Sequence, residues 1–210
     1  MRDKISEILQ TDIYGITCEE MSGGRSNPQV VREMIGAGIK IIQYREKEKS
    51  KREKLAECRA IRKICNPGVL FIVNDDIDIA ILCQADGVHV GQDDLPADEV
   101  RKLLGPEMII GVSAGTPDEV DDAIKRGADY LGVGPVFTTG TKTDAGLPVG
   151  LDFLEYVVKN YYIPLVAIGG INCVNIKEVQ KSGVPCSAMV SALVASPDIK
   201  ETVAFIRHVL

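Results

Sequence analysis

No run in this 210-residue chain approaches the roughly 18 uninterrupted apolar residues that a membrane span needs. The opening MRDKISEILQ is amphipathic and lacks the apolar stretch of a secretory leader, so a cytoplasmic location is the default expectation. Positive charge is not in excess either. With 24 Lys and Arg against 30 Asp and Glu, the formal net charge is -6, and no general field draws the chain to nucleic acid or an anionic membrane. Any anion must be held locally. The six cysteines (Cys18, Cys58, Cys65, Cys83, Cys173, Cys186) include no Cys-x-x-Cys pair, and they read as reduced packing residues rather than disulfides or zinc ligands. Only two histidines occur: His89 within an apolar strand pattern, read as lining the core, and His208 near the end on an expected surface helix. No linker, low-complexity stretch or compositional break divides the sequence. One domain over 1–210 is expected, with 1–12 as a short N-terminal helical extension.

What is present is alternation. Short apolar strands are expected at Ile13–Thr17, Ile39–Tyr44, Leu70–Val73, Gly87–Val90, Met108–Val112, Tyr130–Val133, Pro164–Ile168 and Ala188–Ser191. Helices between them are expected to begin near Asn27-Pro28, Ser50, Asp76, Pro96, Thr116-Pro117, Gly150, Asn172 and Ser196-Pro197, several with a capping residue followed by proline. Small residues recur just before strands, as in Gly36-Ala37-Gly38, Gln84-Ala85-Asp86, Arg126-Gly127-Ala128-Asp129 and Ser182-Gly183-Val184. Strands this apolar are covered by helices on both faces. Eight in strict alternation favour a single-domain α/β fold, a closed (β/α)8 TIM barrel, over an open doubly wound sheet.

In such a barrel the reactive groups belong at the C-terminal ends of the strands. The second strand ends in Gln43-Tyr44-Arg45-Glu46-Lys47, the third in Asn74-Asp75-Asp76, the fourth in Gly91-Gln92-Asp93-Asp94, and the fifth runs into Ser113. Arg45, Lys47 and Lys142 carry charge suited to phosphate oxygens. Asp75 and Asp94 are hard oxygen ligands of the kind that Mg2+ takes. Cations with an acidic pair point to a diphosphate, since a monophosphate alone would not need the carboxylates. A second anion site is expected after the last two strands, where Gly169-Gly170 would open a helix and Val190-Ser191 the final loop, with Thr139, Gly140 and Thr141 nearby. Taken one at a time these motifs have plainer readings: Arg45 and Lys47 as solvated charges, Asp76 as a helix cap, Asp93 and Asp94 as a turn before Pro96.

The set QYREK, NDD, VHVGQDD, GVSA, GPVFTTGTK, AIGGI and VSA, in this order and spacing, resembles the thiamine-phosphate synthase family from Ile13 to about Ala192. The resemblance implies a (β/α)8 enzyme that joins a hydroxymethylpyrimidine diphosphate to a thiazole phosphate with Mg2+ assisting, giving thiamine phosphate and pyrophosphate. It assigns the pyrimidine diphosphate site to Gln43, Tyr44, Arg45, Glu46, Lys47, Asn74, Ser113 and Lys142, with Arg45, Lys47, Ser113 and Lys142 acting catalytically. It assigns the metal to Asp75 and Asp94, and the thiazole phosphate to Thr139, Gly140, Thr141, Gly170, Val190 and Ser191. The partners it implies are small molecules, without nucleic acid or membrane; the sequence leaves a homo-oligomer open.

Two positions depart from the family's usual pattern: Gly115 stands where many relatives carry histidine, and Thr138 where many carry proline. A related branch, the thiazole tautomerases, needs a general base such as that histidine. A non-catalytic thiazole or thiamine phosphate binding protein would have no need of the acidic pair. An isomerase barrel would require an acid/base pair at its strand ends.

Overall fold

The computed structural model describes residue 5 and residues 11–65, 67–141 and 146–210. Eight parallel strands close into a barrel in sequence order: β1 (Ile13–Ile16), β2 (Ile41–Tyr44), β3 (Leu70–Asn74), β4 (Gly87–Val90), β5 (Ile109–Ala114), β6 (Tyr130–Val133), β7 (Leu165–Ile168) and β8 (Cys186–Met189). Pairing of Tyr14 with Ala188 joins the last strand to the first. The (β/α)8 expectation holds. Among the described residues the helices are α1 (Asn27–Gly36), α2 (Lys51–Ile64), α3 (Ile77–Cys83), α4 (Ala97–Leu104), α5 (Pro117–Lys125), α6 (Gly150–Asn160), α7 (Ile176–Lys181), α8 (Ser191–Val194) and α9 (Ile199–Val209). The expected extension at 1–12 lies largely outside the described residues, although Ile5 is helical and buried with Tyr14, Ile16 and Ile41.

Several helix starts follow from side chains that accept otherwise orphaned amides. Ser50 and Glu53 form a capping box at α2, with Glu53 Oε2 accepting the Ser50 amide at 2.9 Å. Thr116 accepts the Glu119 amide at α5, with Pro117 in the first turn. Asp198 rather than Ser196 caps α9, accepting the Glu201 amide at 2.9 Å.

Alternation along each strand sorts side chains into two layers. Ile13, Ile42, Tyr44, Val73, Val88, Ile110 and Leu131 face outward and pack under the helices in one large core. Tyr14, Ile16, Ile41, Leu70, Ile72, Ile109, Tyr130 and Val166 fill the lumen. Two boundaries differ from expectation in ways that matter. The eighth strand lies two residues earlier than Ala188–Ser191, so Ser191 is the first residue of α8 rather than a strand end. The third and fifth strands run further, which makes Asn74 and Ser113 strand residues held by ladder hydrogen bonds.

At the opposite end, three strands are entered through an aspartate paired with an arginine from a helix. Asp12, before β1, accepts the Ile13 amide at 2.9 Å and the Arg207 Nε at 2.5 Å. Asp86, before β4, accepts the Phe71 amide and Arg62 Nη1, each at 2.8 Å. Asp129, before β6, accepts the Ile110 amide at 2.8 Å and Arg101 Nη2 at 2.5 Å.

Candidate active site

The C-terminal ends of the strands surround a cleft with an empty volume of about 1250 Å3, open solvent at its mouth included. Gln43, Arg45, Lys47, Asn74, Asp75, Asp94 and Ser113 line one side, and Thr139, Thr141, Gly170, Val190 and Ser191 the other. Lys142 lies outside the described residues.

Strand alternation divides the run Gln43-Tyr44-Arg45-Glu46-Lys47 between two jobs. Gln43 points into the lumen and donates through Nε2 to the Tyr14 hydroxyl at 2.9 Å. Tyr44 points outward, is buried in the helix layer, and donates to Glu57 Oε2 on α2 at 2.7 Å. Burial and that carboxylate hold its phenol pKa well above the ordinary value. Glu46 accepts the Glu19 amide and Asn27 Nδ2, both at 2.8 Å. Tyr44 and Glu46, expected at the pyrimidine diphosphate site, do not line the cleft: the pleat turns the Tyr44 side chain away, and Glu46 is engaged behind the loop. Gly140 does not line it either, although Thr139 and Thr141 on both sides do.

The cationic and acidic groups meet directly. Lys47 Nζ lies 2.7 Å from Asp75 Oδ2. Asp75 has φ +59°, a left-handed conformation that aspartate tolerates better than most residues. Its amide donates to the His89 carbonyl at 2.9 Å, so a short bridge from β3 to β4 fixes the turn. Asp76 is the N-cap of α3, yet its carboxylate is held by Lys51 and Lys54 at 2.6 and 2.9 Å rather than by a cap hydrogen bond. Asp94 Oδ2 accepts the Gly91 amide at 2.8 Å, so the expected turn exists and presents the carboxylate to the cleft. Partial burial, joined by the neighbouring Asp75 carboxylate, raises the Asp94 pKa above its ordinary value despite the Gly91 hydrogen bond. Among the described residues no group of three or more His, Cys, Asp or Glu gathers for a metal. The donor set is a carboxylate pair, which suits a hard divalent ion that completes its shell with water and phosphate.

On the other side, backbone predominates. The loop after β6 continues pairing with β7, Val136 N donating to Ile168 O at 2.8 Å and Phe137 N to Gly169 O at 3.0 Å. A side chain on Gly170, at φ +66°, would put its Cβ 2.6 Å from the Thr138 carbonyl, so only glycine permits this approach. The expected helix start at Gly169-Gly170 is corrected: α7 begins at Ile176, and Asn172 and Asn175 instead turn their amide groups onto the Gly170 carbonyl at 3.2 and 3.0 Å. The helix that does open at the cleft is α8, beginning at Ser191.

His89 and Gln92 also line the cleft and were not expected there as functional groups. His89 Nε2 lies 3.0 Å from Ser113 Oγ, and Gln92 Nε2 donates to the Ser113 carbonyl at 2.6 Å. The inward register of β4 was the available signal for His89, because a residue two before Gly91 on an alternating strand shares its face. Gly115 donates its amide to Glu119 Oε2 at 2.6 Å beside the cleft without lining it. All six cysteines are free thiols, as expected, and four of them are buried.

A protein-family model described as thiamine monophosphate synthase matches residues 13–193. The thiamine-phosphate synthase of Pelotomaculum thermopropionicum is 54% identical over 210 residues, covering 100% of this chain and 96% of the relative. That of Lawsonia intracellularis is 48% identical over 203 residues, covering 96% and 94%. The solved structure of thiamine phosphate pyrophosphorylase from Pyrococcus furiosus superposes with a TM-score of 0.87 at 35% identity, over 97% of this chain and 96% of that one.

Proposed function

The chain belongs to the thiamine monophosphate synthase family, and from that premise we propose that it is a transferase joining 4-amino-2-methyl-5-hydroxymethylpyrimidine diphosphate to a thiazole phosphate, forming thiamine phosphate and releasing pyrophosphate. The observation that carries this reading is a single cleft with a cation and carboxylate cluster on one wall and threonine, glycine and Ser191 donors on the other. One wall suits a diphosphate, and the other a monophosphate.

The chemistry does not require an isolated catalytic base. The aminopyrimidine pushes electrons toward its exocyclic methylene, so departure of pyrophosphate leaves a stabilised carbocation, which the thiazole nitrogen captures through its lone pair. The demanding part is the charge on the leaving group. Arg45 and Lys47 would bind its oxygens, and each such preorganised contact is typically worth about 2.7–4 kcal/mol. Lys142 has suitable charge on sequence grounds. Asp75 and Asp94 would hold Mg2+, which supplies charge neutralisation at the diphosphate when bound. Gln43, Asn74 and Ser113 would orient the pyrimidine, while Thr139, Thr141, Gly170, Val190 and Ser191 hold the thiazole phosphate for attack along the line of departure. Tyr44, Glu46 and Gly140 support these groups from behind or beside them.

The same proposal includes one barrel domain with 1–12 as an N-terminal extension, a cytoplasmic location, and no nucleic-acid or membrane partner. Among the described residues no helix is long and apolar enough to cross a membrane. The test is direct. Purified protein with both substrates and Mg2+ should form thiamine phosphate and pyrophosphate in equal amounts, and Asp75→Ala should lose orders of magnitude in rate. Full activity in that variant would sink the metal assignment; proton exchange on the thiazole without pyrophosphate would mark a tautomerase instead.

A further inference from the structure

Beneath the cleft, the lumen contains a continuous line of hydrogen-bonded side chains from five strands. Gln43 Nε2 donates to Tyr14 OH at 2.9 Å, Tyr14 OH lies 3.0 Å from Tyr130 OH, Tyr130 OH lies 3.0 Å from His89 Nδ1, and His89 Nε2 lies 3.0 Å from Ser113 Oγ. Tyr14, Tyr130, His89 and Gln43 are all buried. Glycines on the neighbouring strands make the room: a Cβ on Gly111 would stand 2.5 Å from His89 Nδ1, and one on Gly132 would stand 2.9 Å from His89 Cε1. Such a line of buried polar groups is costly unless every member is satisfied.

One direction along the line uses every proton. Either hydroxyl of the Tyr14–Tyr130 pair can donate, and with Tyr14 already accepting from the Gln43 amide, donation from Tyr14 to Tyr130 is the arrangement that leaves neither phenol proton unused among these contacts. In that arrangement the Tyr130 proton goes to His89 Nδ1, and the tautomer this assigns to the imidazole carries its proton on Nε2, facing Ser113 Oγ. Ser113 therefore accepts from below and has its own proton left for the cleft, which it lines. In the opposite direction Ser113 would give that proton to His89 and offer substrate only lone pairs.

We propose that Tyr14, Tyr130 and His89 are positioning residues that hold Ser113 as a hydrogen-bond donor to the pyrimidine diphosphate substrate. The proposal rests on the synthase reading above and adds three residues and a polarity to it. Ser113 meets an acceptor on that substrate, a ring nitrogen or a diphosphate oxygen, and does not serve as a base.

A double-mutant cycle tests it. Tyr130→Phe keeps the ring and removes the donor to His89, so kcat/KM for the pyrimidine diphosphate should fall about tenfold, the scale of one neutral hydrogen bond. In a Ser113→Ala background the same change should cost less than about twofold, because the group being positioned is gone. Tyr14→Phe, one link further away, should follow the same pattern with a smaller loss, and it serves as the second cycle if Tyr130→Phe melts out. A merely structural role predicts equal losses with and without Ser113, and that result, or no loss in either background, would overturn the relay. An unmodified protein that releases no pyrophosphate would overturn the synthase reading instead.

Discussion

Replacing Asp129 with alanine should damage stability and leave the chemistry intact. Its carboxylate is 4% exposed and satisfies both the Ile110 amide and the Arg101 guanidinium, itself 20% exposed. Removing one member of a buried ion pair costs about 3–5 kcal/mol, because the remaining charge stays largely buried without its counter-charge, although Arg101 Nη1 keeps its hydrogen bonds to the Gly105 and Met108 carbonyls. An amide that loses its acceptor accounts for roughly 1–3 kcal/mol of that. For a chain of this size each kcal/mol lowers Tm by about 2–4 °C. Asp129→Ala should therefore melt roughly 6–20 °C below the unmodified protein by calorimetry at pH 7. The sister sites supply the control. The Asp86 and Arg62 side chains are 22% and 24% exposed, and Asp12 and Arg207 are 26% and 36% exposed. Water can replace more of what is lost there, so the penalties should fall to about 1–2 kcal/mol for Asp86→Ala and about 1 kcal/mol for Asp12→Ala. Turnover at 25 °C should be unchanged in all three, because these groups lie where the strands begin and the cleft lies where they end. Equal melting losses across the series, or lost turnover in a variant that is still folded, would refute the reasoning.

Three further expectations concern charge. At Asp12, burial alone would raise the pKa, but the Arg207 contact and the Ile13 amide outweigh it and lower the value below 3.8. The folded state then binds that proton less tightly than the unfolded chain, so the stabilisation is full above about pH 4 and disappears as pH falls through the folded pKa. The Tm difference between Asp12→Asn and the parent should accordingly shrink on acidification. At Asp94 the sign reverses: its raised pKa means that the ionised form costs stability as pH rises past 3.8. Asp94→Asn, which keeps an acceptor for Gly91, should melt slightly higher than the metal-free parent at pH 7, lose that gain in acid, and lose turnover; a lower Tm at pH 7 would contradict the assignment. Lys47→Ala should slow pyrophosphate release by about 10²–10³-fold, while Tm barely moves, because the Lys47 side chain in its ion pair is 51% exposed.

The barrel was legible because its strands are short, apolar and evenly punctuated, and because burial on both faces, under the helices outside and in the packed lumen inside, suppresses alternation. Most of the site was legible for a related reason: polar side chains at the end of an apolar strand have few places to go other than the cleft. What was not legible depended on which way a side chain turns. Tyr44 and Glu46 sit within the most informative run of the sequence, yet the pleat and the helix layer direct them away from the cleft. The eighth strand begins at Cys186, two residues before the expected Ala188, and ends at Met189 rather than Ser191. Gly169 and Gly170 suggested a helix start, but their positive φ values serve close packing against Pro135 and Thr138. His89 read correctly as lining the lumen, and only the three-dimensional register shows that Ser113 is its neighbour.

The residues turned away from the cleft bear on catalysis through rigidity. Lys49 Nζ bridges Glu19 and Glu57 at 2.6 Å each. Asn27 Nδ2 donates to Glu46 and Glu57 at 2.8 and 3.0 Å, and Tyr44 closes the network on Glu57. Arg45 and Lys47 thus lie on a stretch pinned at Tyr44, Glu46 and Lys49, with the Arg45 amide itself donating to Thr17 Oγ1 at 2.9 Å. Every second residue of the run is used as an anchor and every other one as a site group. Two long, flexible cations placed on a free loop would lose much of their binding energy to ordering when the diphosphate arrives. Fixing the backbone beneath them in advance removes part of that cost, which is what electrostatic stabilisation of a leaving group requires. The outward half of Gln43-Tyr44-Arg45-Glu46-Lys47 is therefore part of the same device as the inward half, acting through position rather than contact.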